Sequence, residues 1–357
     1  MYKLKSYVFV ALLMLLALPA SGNGMGRSNY EFLYKKLTGF KIAITDIKHP
    51  ETKGALIIPS GIAVDKTFYT VVEIAPNAFH GNKFEKVVIP RTVEKIGYNA
   101  FYECPNLKEV NFAGYHQEVA IGTLVGIGAF RNCPNLETVD FKDIREIEEN
   151  AFINCIKLNH VELSKEVTRI KANAFANCTS LSDVQMPSSI GYIEGGAFYG
   201  CTNLTNIELP ESLNSIGDSA FAYSAIKEMN IPANVSGLGN KAFYACKGLV
   251  KVQLPSSALT VKRSTFEECS ALRDVATPKS VTFIDEDAFK NCSSLINFDM
   301  SKIIEVGCSA FEGCCSLKNL VLSSAYSIDE SAFKGCSSIR SIFIPQYSAP
   351  RGRGLGK

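Results

Sequence analysis

Residues Ala197 to Gly217 read AFYGCTNLTNIELPESLNSIG. Ala197, Phe198, Cys201, Leu204, Ile207, Leu209, Leu213 and Ile216 are its apolar positions, and Pro210 follows the last residue of the Leu204, Ile207, Leu209 set. Proline cannot donate to a sheet ladder, so it marks the end of a short strand. A stretch of this length cannot bury its own apolar residues, and only repetition of the stretch could close a core around them.

The stretch does repeat. Phenylalanine recurs at Phe79, Phe101, Phe130, Phe152, Phe175, Phe198, Phe221, Phe243, Phe266, Phe289, Phe311 and Phe333, at intervals of 22 or 23 residues apart from one of 29. Alanine precedes eleven of the twelve, Thr265 being the exception, and an aliphatic residue stands five positions before each, as Ile74, Ile96, Val125 and Ile147 do in the first four. After the ring comes a second apolar set such as Leu158, Val161 and Leu163. The alternation of Val161 and Leu163 around Glu162 is strand spacing, with successive side chains on opposite faces. The reading is an α/β-type repeat solenoid, mainly β, of about 12 stacked coils with one short parallel strand per coil, and at strand spacing the ladder would be roughly 58 Å long.

The pattern AFxxCxxLxxVxLPxxVxxIG, carried by Ala197 to Gly217, resembles the BspA-type leucine-rich repeats. The opening segments Gly54 to Pro59 (GALIIP) and Phe68 to Val72 (FYTVV), with Ile74, resemble that family's first, interrupted repeat, and the likeness extends over about residues 54 to 345. It implies a surface or secreted protein, in some members an adhesin for host matrix or other cells.

The ends read differently from the middle. Lys3 and Lys5, an apolar run from Val8 to Leu18 and the small residues Ala20, Ser21 and Gly22 have the form of a signal peptide over residues 1–22, with cleavage expected between Ala20 and Asn23. Residues 23–56 are expected to form an N-terminal β-hairpin cap, because Tyr30 to Ile47 alternates on either side of Thr38 and Gly39. Residues 57–345 are the solenoid, and residues 346–357 a flexible basic tail with Arg351, Arg353 and Lys357. No second long apolar run follows, so no integral membrane span is expected in the mature chain, which is placed as secreted or at the cell surface. With 37 basic and 35 acidic residues the formal charge is +2, which gives no electrostatic case for nucleic acid or an anionic membrane.

Twelve cysteines in an exported chain would ordinarily suggest disulfides. Ten of them, however, stand three residues after a repeat phenylalanine, and only Cys308 and Cys315 fall outside that register. Equivalent residues of stacked coils point the same way and do not present the torsion of about 90° that a disulfide needs. They are therefore expected to be buried thiols acting as small hydrophobes. Asn82 and Ser224 take the place in the two repeats that lack the cysteine.

No enzyme, metal or cofactor motif is present. The four histidines, His49, His80, His116 and His160, are scattered, with no HExxH, glycine-rich phosphate loop or GxSxG elbow, and zinc sites want ligand pairs two to four residues apart. A non-enzymatic binding protein is expected, its partner a protein or glycan met on the outward strand positions. These run Val88, Asn111, Asp140, Glu162, Gln185, Glu208, Asn230, Gln253, Ala276, Asp299, Val321 and Phe343. Asp140, Glu162, Gln185 and Glu208 are the polar middle of that stripe. The long interval after Phe101 inserts Ala113 to Thr123, whose Tyr115 and His116 are candidates for a second contact. The alternative is a structural or assembly component of the cell envelope without a host ligand.

Overall fold

A computed structural model describes residues 31–48, 54–113 and 122–343. Phe32–Lys36 and Lys41–Ile47 form an antiparallel hairpin. The second of these strands also pairs in parallel with Thr67–Ile74, against which Gly61–Val64 folds back. From there the chain climbs as a parallel solenoid. Each aliphatic residue five positions before a ring belongs to a short strand, and these strands stack in register: Ile74, Ile96 and Val125 on one run, then Ile147, Ile170, Ile193, Ile216 and Leu238. Thr260–Val261, Phe283–Ile284, Glu305–Val306 and Ser327–Ile328 continue the ladder as a separate sheet.

Besides the strand expected in each coil at the second apolar set, this is a further strand of two to four residues in most coils. The expected strands make the other ladder, from Ala55–Ile57 through Lys86–Pro90 and Glu109–Ala113 to Ser341–Phe343. The second ladder was not anticipated because two-residue strands show no alternation to detect.

The turn between the ladders explains the AFxxC signature. Phe152 lies between Asn150 and Asn154, both at positive φ (57° and 63°). Asparagine enters this left-handed region more readily than most residues, and the two excursions fold the chain tightly enough to aim the ring inward. The Phe152 N–H donates to Ala174 O of the next coil at 2.8 Å. Its carbonyl accepts the Cys155 N–H at 3.2 Å and, from the next coil, the Cys178 thiol at 3.3 Å. All ten cysteines of the register make the same thiol donation to the ring residue of the coil before, at 3.1–3.3 Å. The cysteine is thus small enough to pack and polar enough to bond between coils.

The rings form one continuous column. Eleven successive contacts join all twelve repeat phenylalanines with centroids 5.0–5.6 Å apart, and the planes lie within 12° of parallel in all but the first pair. Beside it runs an amide ladder, Asn177 Nδ2 to Asn154 Oδ1 at 2.9 Å and Asn154 Nδ2 to Asn132 Oδ1 at 2.7 Å. Thr265, in place of alanine, remains buried by donating its hydroxyl to Lys262 O at 2.7 Å. Cys308 and Cys315, outside the column, are exposed.

Candidate interaction face

In the second-set strands of the middle coils the central residue is buried and its neighbours point out, whereas Val275 is half-buried and Ile342 in the last strand is exposed. Val161 lies between His160 and Glu162, Val184 between Asp183 and Gln185, and Val252 between Lys251 and Gln253. The outward positions consequently form two rows along the solenoid. The row read from sequence is the second of them, and its register is direct: Val88 beside Asn111, Glu162 beside Gln185, Asn230 beside Gln253 and then Ala276, Val321 beside Phe343.

Three positions of that row stand where the ladder is interrupted, at Asp140, Glu208 and Asp299. Asp140 caps a single 3-10 turn, Phe141–Asp143, by accepting the Lys142 N–H at 3.2 Å. Phe141, one residue on, is buried edge-on to Phe152 and Phe175. Asp299 accepts the Ser301 N–H at 2.9 Å, and the hydrogen bonds from Ser301 hold its carboxyl below the usual range. Both aspartates are therefore engaged in local turns. Glu208 stands exposed in a stretch without strand pairing.

Of the candidates, Glu162 and Gln185 are brought together on adjacent rungs, with Lys142 Nζ 3.3 Å from the Glu162 carboxylate. Glu208 lies one coil further on, while Asp140 is drawn into its cap. Tyr115 and His116 lie outside the described residues.

Sequence reasoning passed over the other outward row. Lys86 pairs with Glu109 at 2.9 Å, and His160 with Asp183 at 2.9 Å. Glu228, Lys251 and Asp274 follow one another on successive rungs. Opposite charges alternate on part of the row, Lys86 beside Glu109 and then Glu228, Lys251 and Asp274, while Thr138, Asn319 and Ser341 are uncharged. Each exposed pair contributes only about 0–1 kcal/mol, but like charges are kept apart. Taking the residue two before the stripe at the repeat interval would have revealed the alternation. A third feature, Tyr199, Tyr223 and Tyr244, packs edge to face at 5.3 and 5.4 Å on the turn side. These tyrosines occupy two different positions of the repeat, which hid them from a single-register scan.

Comparison with known proteins agrees with this architecture. Six copies of a family model described as the BspA type leucine rich repeat region match residues 70–122, 123–250 and 238–349. The chain is similar in structure to a leucine-rich repeat protein from Bacteroides ovatus, at 26% identity over 88% of this chain and 92% of that one, with a TM-score of 0.57. It is also similar to a leucine rich cell surface protein from Faecalibacterium prausnitzii, at 22% identity over 92% and 96% of the two chains, with a TM-score of 0.51. A comparison with curated proteins gives no match.

Proposed function

Because this chain belongs to the BspA-type leucine-rich repeat family, whose copies run from residue 70 to residue 349, we propose that it is an exported, non-enzymatic, adhesin-like protein whose strand face binds a protein of a cell surface or matrix. Two outward rows, largely polar through the middle coils and in register within each sheet of that face, carry this reading. They offer hydrogen-bonding groups at strand spacing over several coils, anchored by a buried row that fixes their direction. A rigid, extended display of that kind suits recognition of another macromolecule. Among the described residues no helix is long and apolar enough to cross a membrane.

Replacing Glu162, Gln185 and Glu208 together by alanine tests the reading. The variant should lose binding to an immobilised extracellular-matrix extract while its far-ultraviolet spectrum and melting temperature stay unchanged. Asp140 is omitted because its removal would disturb the turn it caps. Undiminished binding would reject the strand face as the contact. Export is tested separately by N-terminal sequencing of protein recovered outside the cell, which should begin between Ser21 and Asn23.

A further inference from the structure

Beside the strand face, at the coils that follow Glu208, lies a groove of about 420 Å³. Its floor includes Asn230, Gln253 and Ala276, which are exposed neighbours on three successive rungs. Its wall includes Pro232, Thr277 and Pro278. We propose that this groove seats an extended, uncharged segment of polypeptide, an assignment that rests on the strand-face reading and names the partner's chemistry.

Three observations select that occupant. Among the described residues the lining holds no lysine, arginine or histidine, so an acidic segment finds no counter-charge there. A basic one finds only the single carboxylate of Glu211 among amide, hydroxyl and apolar groups. Asn230 and Gln253 each expose a primary amide, which offers a donor and an acceptor as a peptide unit does. Amides on adjacent rungs can thus bond to the backbone of a chain laid across them without regard to its side chains. Finally, no aromatic ring among the described residues lines the groove. Sugars are commonly held by stacking their C–H faces on such rings, whereas proline and alanine walls leave room for small, apolar side chains. Thr277 adds a buried hydroxyl oxygen with no hydrogen-bond partner in the wall, and buried polar groups are as a rule paired.

The test is a display library of random ten-residue peptides, panned against the full-length protein, with the enriched peptides synthesised and titrated by fluorescence anisotropy. Enriched peptides should be poor in Asp, Glu, Lys and Arg. Their affinity should fall at least tenfold in the Asn230→Ala, Gln253→Ala double variant and in Ala276→Arg, which fills the groove. Since all three side chains are exposed, melting temperature should not change. Three results would overturn the assignment: no enriched peptide, enriched peptides that bind the variants as well as the parent, or neutral oligosaccharides on a glycan array bound by the parent and lost in the double variant. Any of these together with loss of matrix binding in the Glu162, Gln185, Glu208 variant removes the groove alone. Matrix binding that survives in that variant removes the strand face itself.

Discussion

The inner and outer sides of a coil follow opposite rules. Inside, one ring and, in ten coils, one thiol recur at the same place, and every coil bonds to the next in the same way. Outside, Lys86 is followed by Glu109, His160 by Asp183, and Glu228 by Lys251 and Asp274. The difference teaches where constraint resides. A column of identical residues works only if each rung fits the rungs above and below, so any change inside is felt by two neighbours. An outward residue answers to one cross-strand partner and to solvent. Changes inside should therefore be costly and changes outside cheap, and four measurements can break or sharpen that division.

The largest effect is expected from alkali. Burial pushes the thiols of Cys155, Cys178, Cys269, Cys292 and Cys314 well above their ordinary value, and that of Cys201 up to about 12. In the unfolded chain a thiol titrates near 8.5. Above that pH the unfolded state releases protons that the folded state retains, so the stabilisation is complete below about pH 8.5 and falls as pH rises. Between pH 8.5 and 9.5 each such thiol should cost about 1 kcal/mol, or on the order of 6 kcal/mol for the six. Urea unfolding at pH 7.5, 8.5 and 9.5 under reducing conditions should show this loss, and a flat profile would mean that solvent reaches the column.

Next comes the ring column itself. Phe198 touches Phe175 and Phe221 at 5.6 and 5.5 Å and is fully buried. Phe198→Ala leaves a cavity shared by three coils and should cost about 3–5 kcal/mol in urea unfolding. A loss under 1 kcal/mol would show that neighbouring coils collapse into the gap.

A smaller loss is expected where coils touch through backbone. A β-carbon on Gly217 would lie 2.5 Å from the Gly195 nitrogen of the coil before. Gly217→Ala must push the coils apart, at about 1–3 kcal/mol. In the preceding coil, Glu194 occupies the equivalent place and bonds to Arg169 and the Ala172 N–H. The coil spacing there already admits a side chain, so Glu194→Ala should cost little. Equal losses at the two sites would refute the close approach at Gly217.

The same division decides what could be read from sequence. The ring, the alanine and the aliphatic residue five before it were legible because stacking demands identity at fixed intervals, and so was the placing of Glu162 and Gln185 on adjacent rungs. The second ladder was hidden because two residues carry no period. Asp140 is placed on a strand when the stripe is extended by register alone, and register carries no sign of the single 3-10 turn Phe141–Asp143 that this residue caps. The groove beside Gln253 was invisible because its lining comes from residues of several coils at different repeat positions.

The smallest effect tests the outer rule. Lys251 stands between Glu228 and Asp274 on the exposed row. Lys251→Glu would place three carboxylates on successive rungs without touching the buried Val252 beside it. Like charges directly opposite on neighbouring strands cost no more than about 1 kcal/mol, and salt should recover most of that because the Debye length at 1 M is about 3 Å. Unfolding at low and at high salt should show a deficit that shrinks as salt is added. A deficit that persists at 1 M salt would mean that the charge pattern is tied to the packing beneath it, and the two sides of the coil would then not be independent.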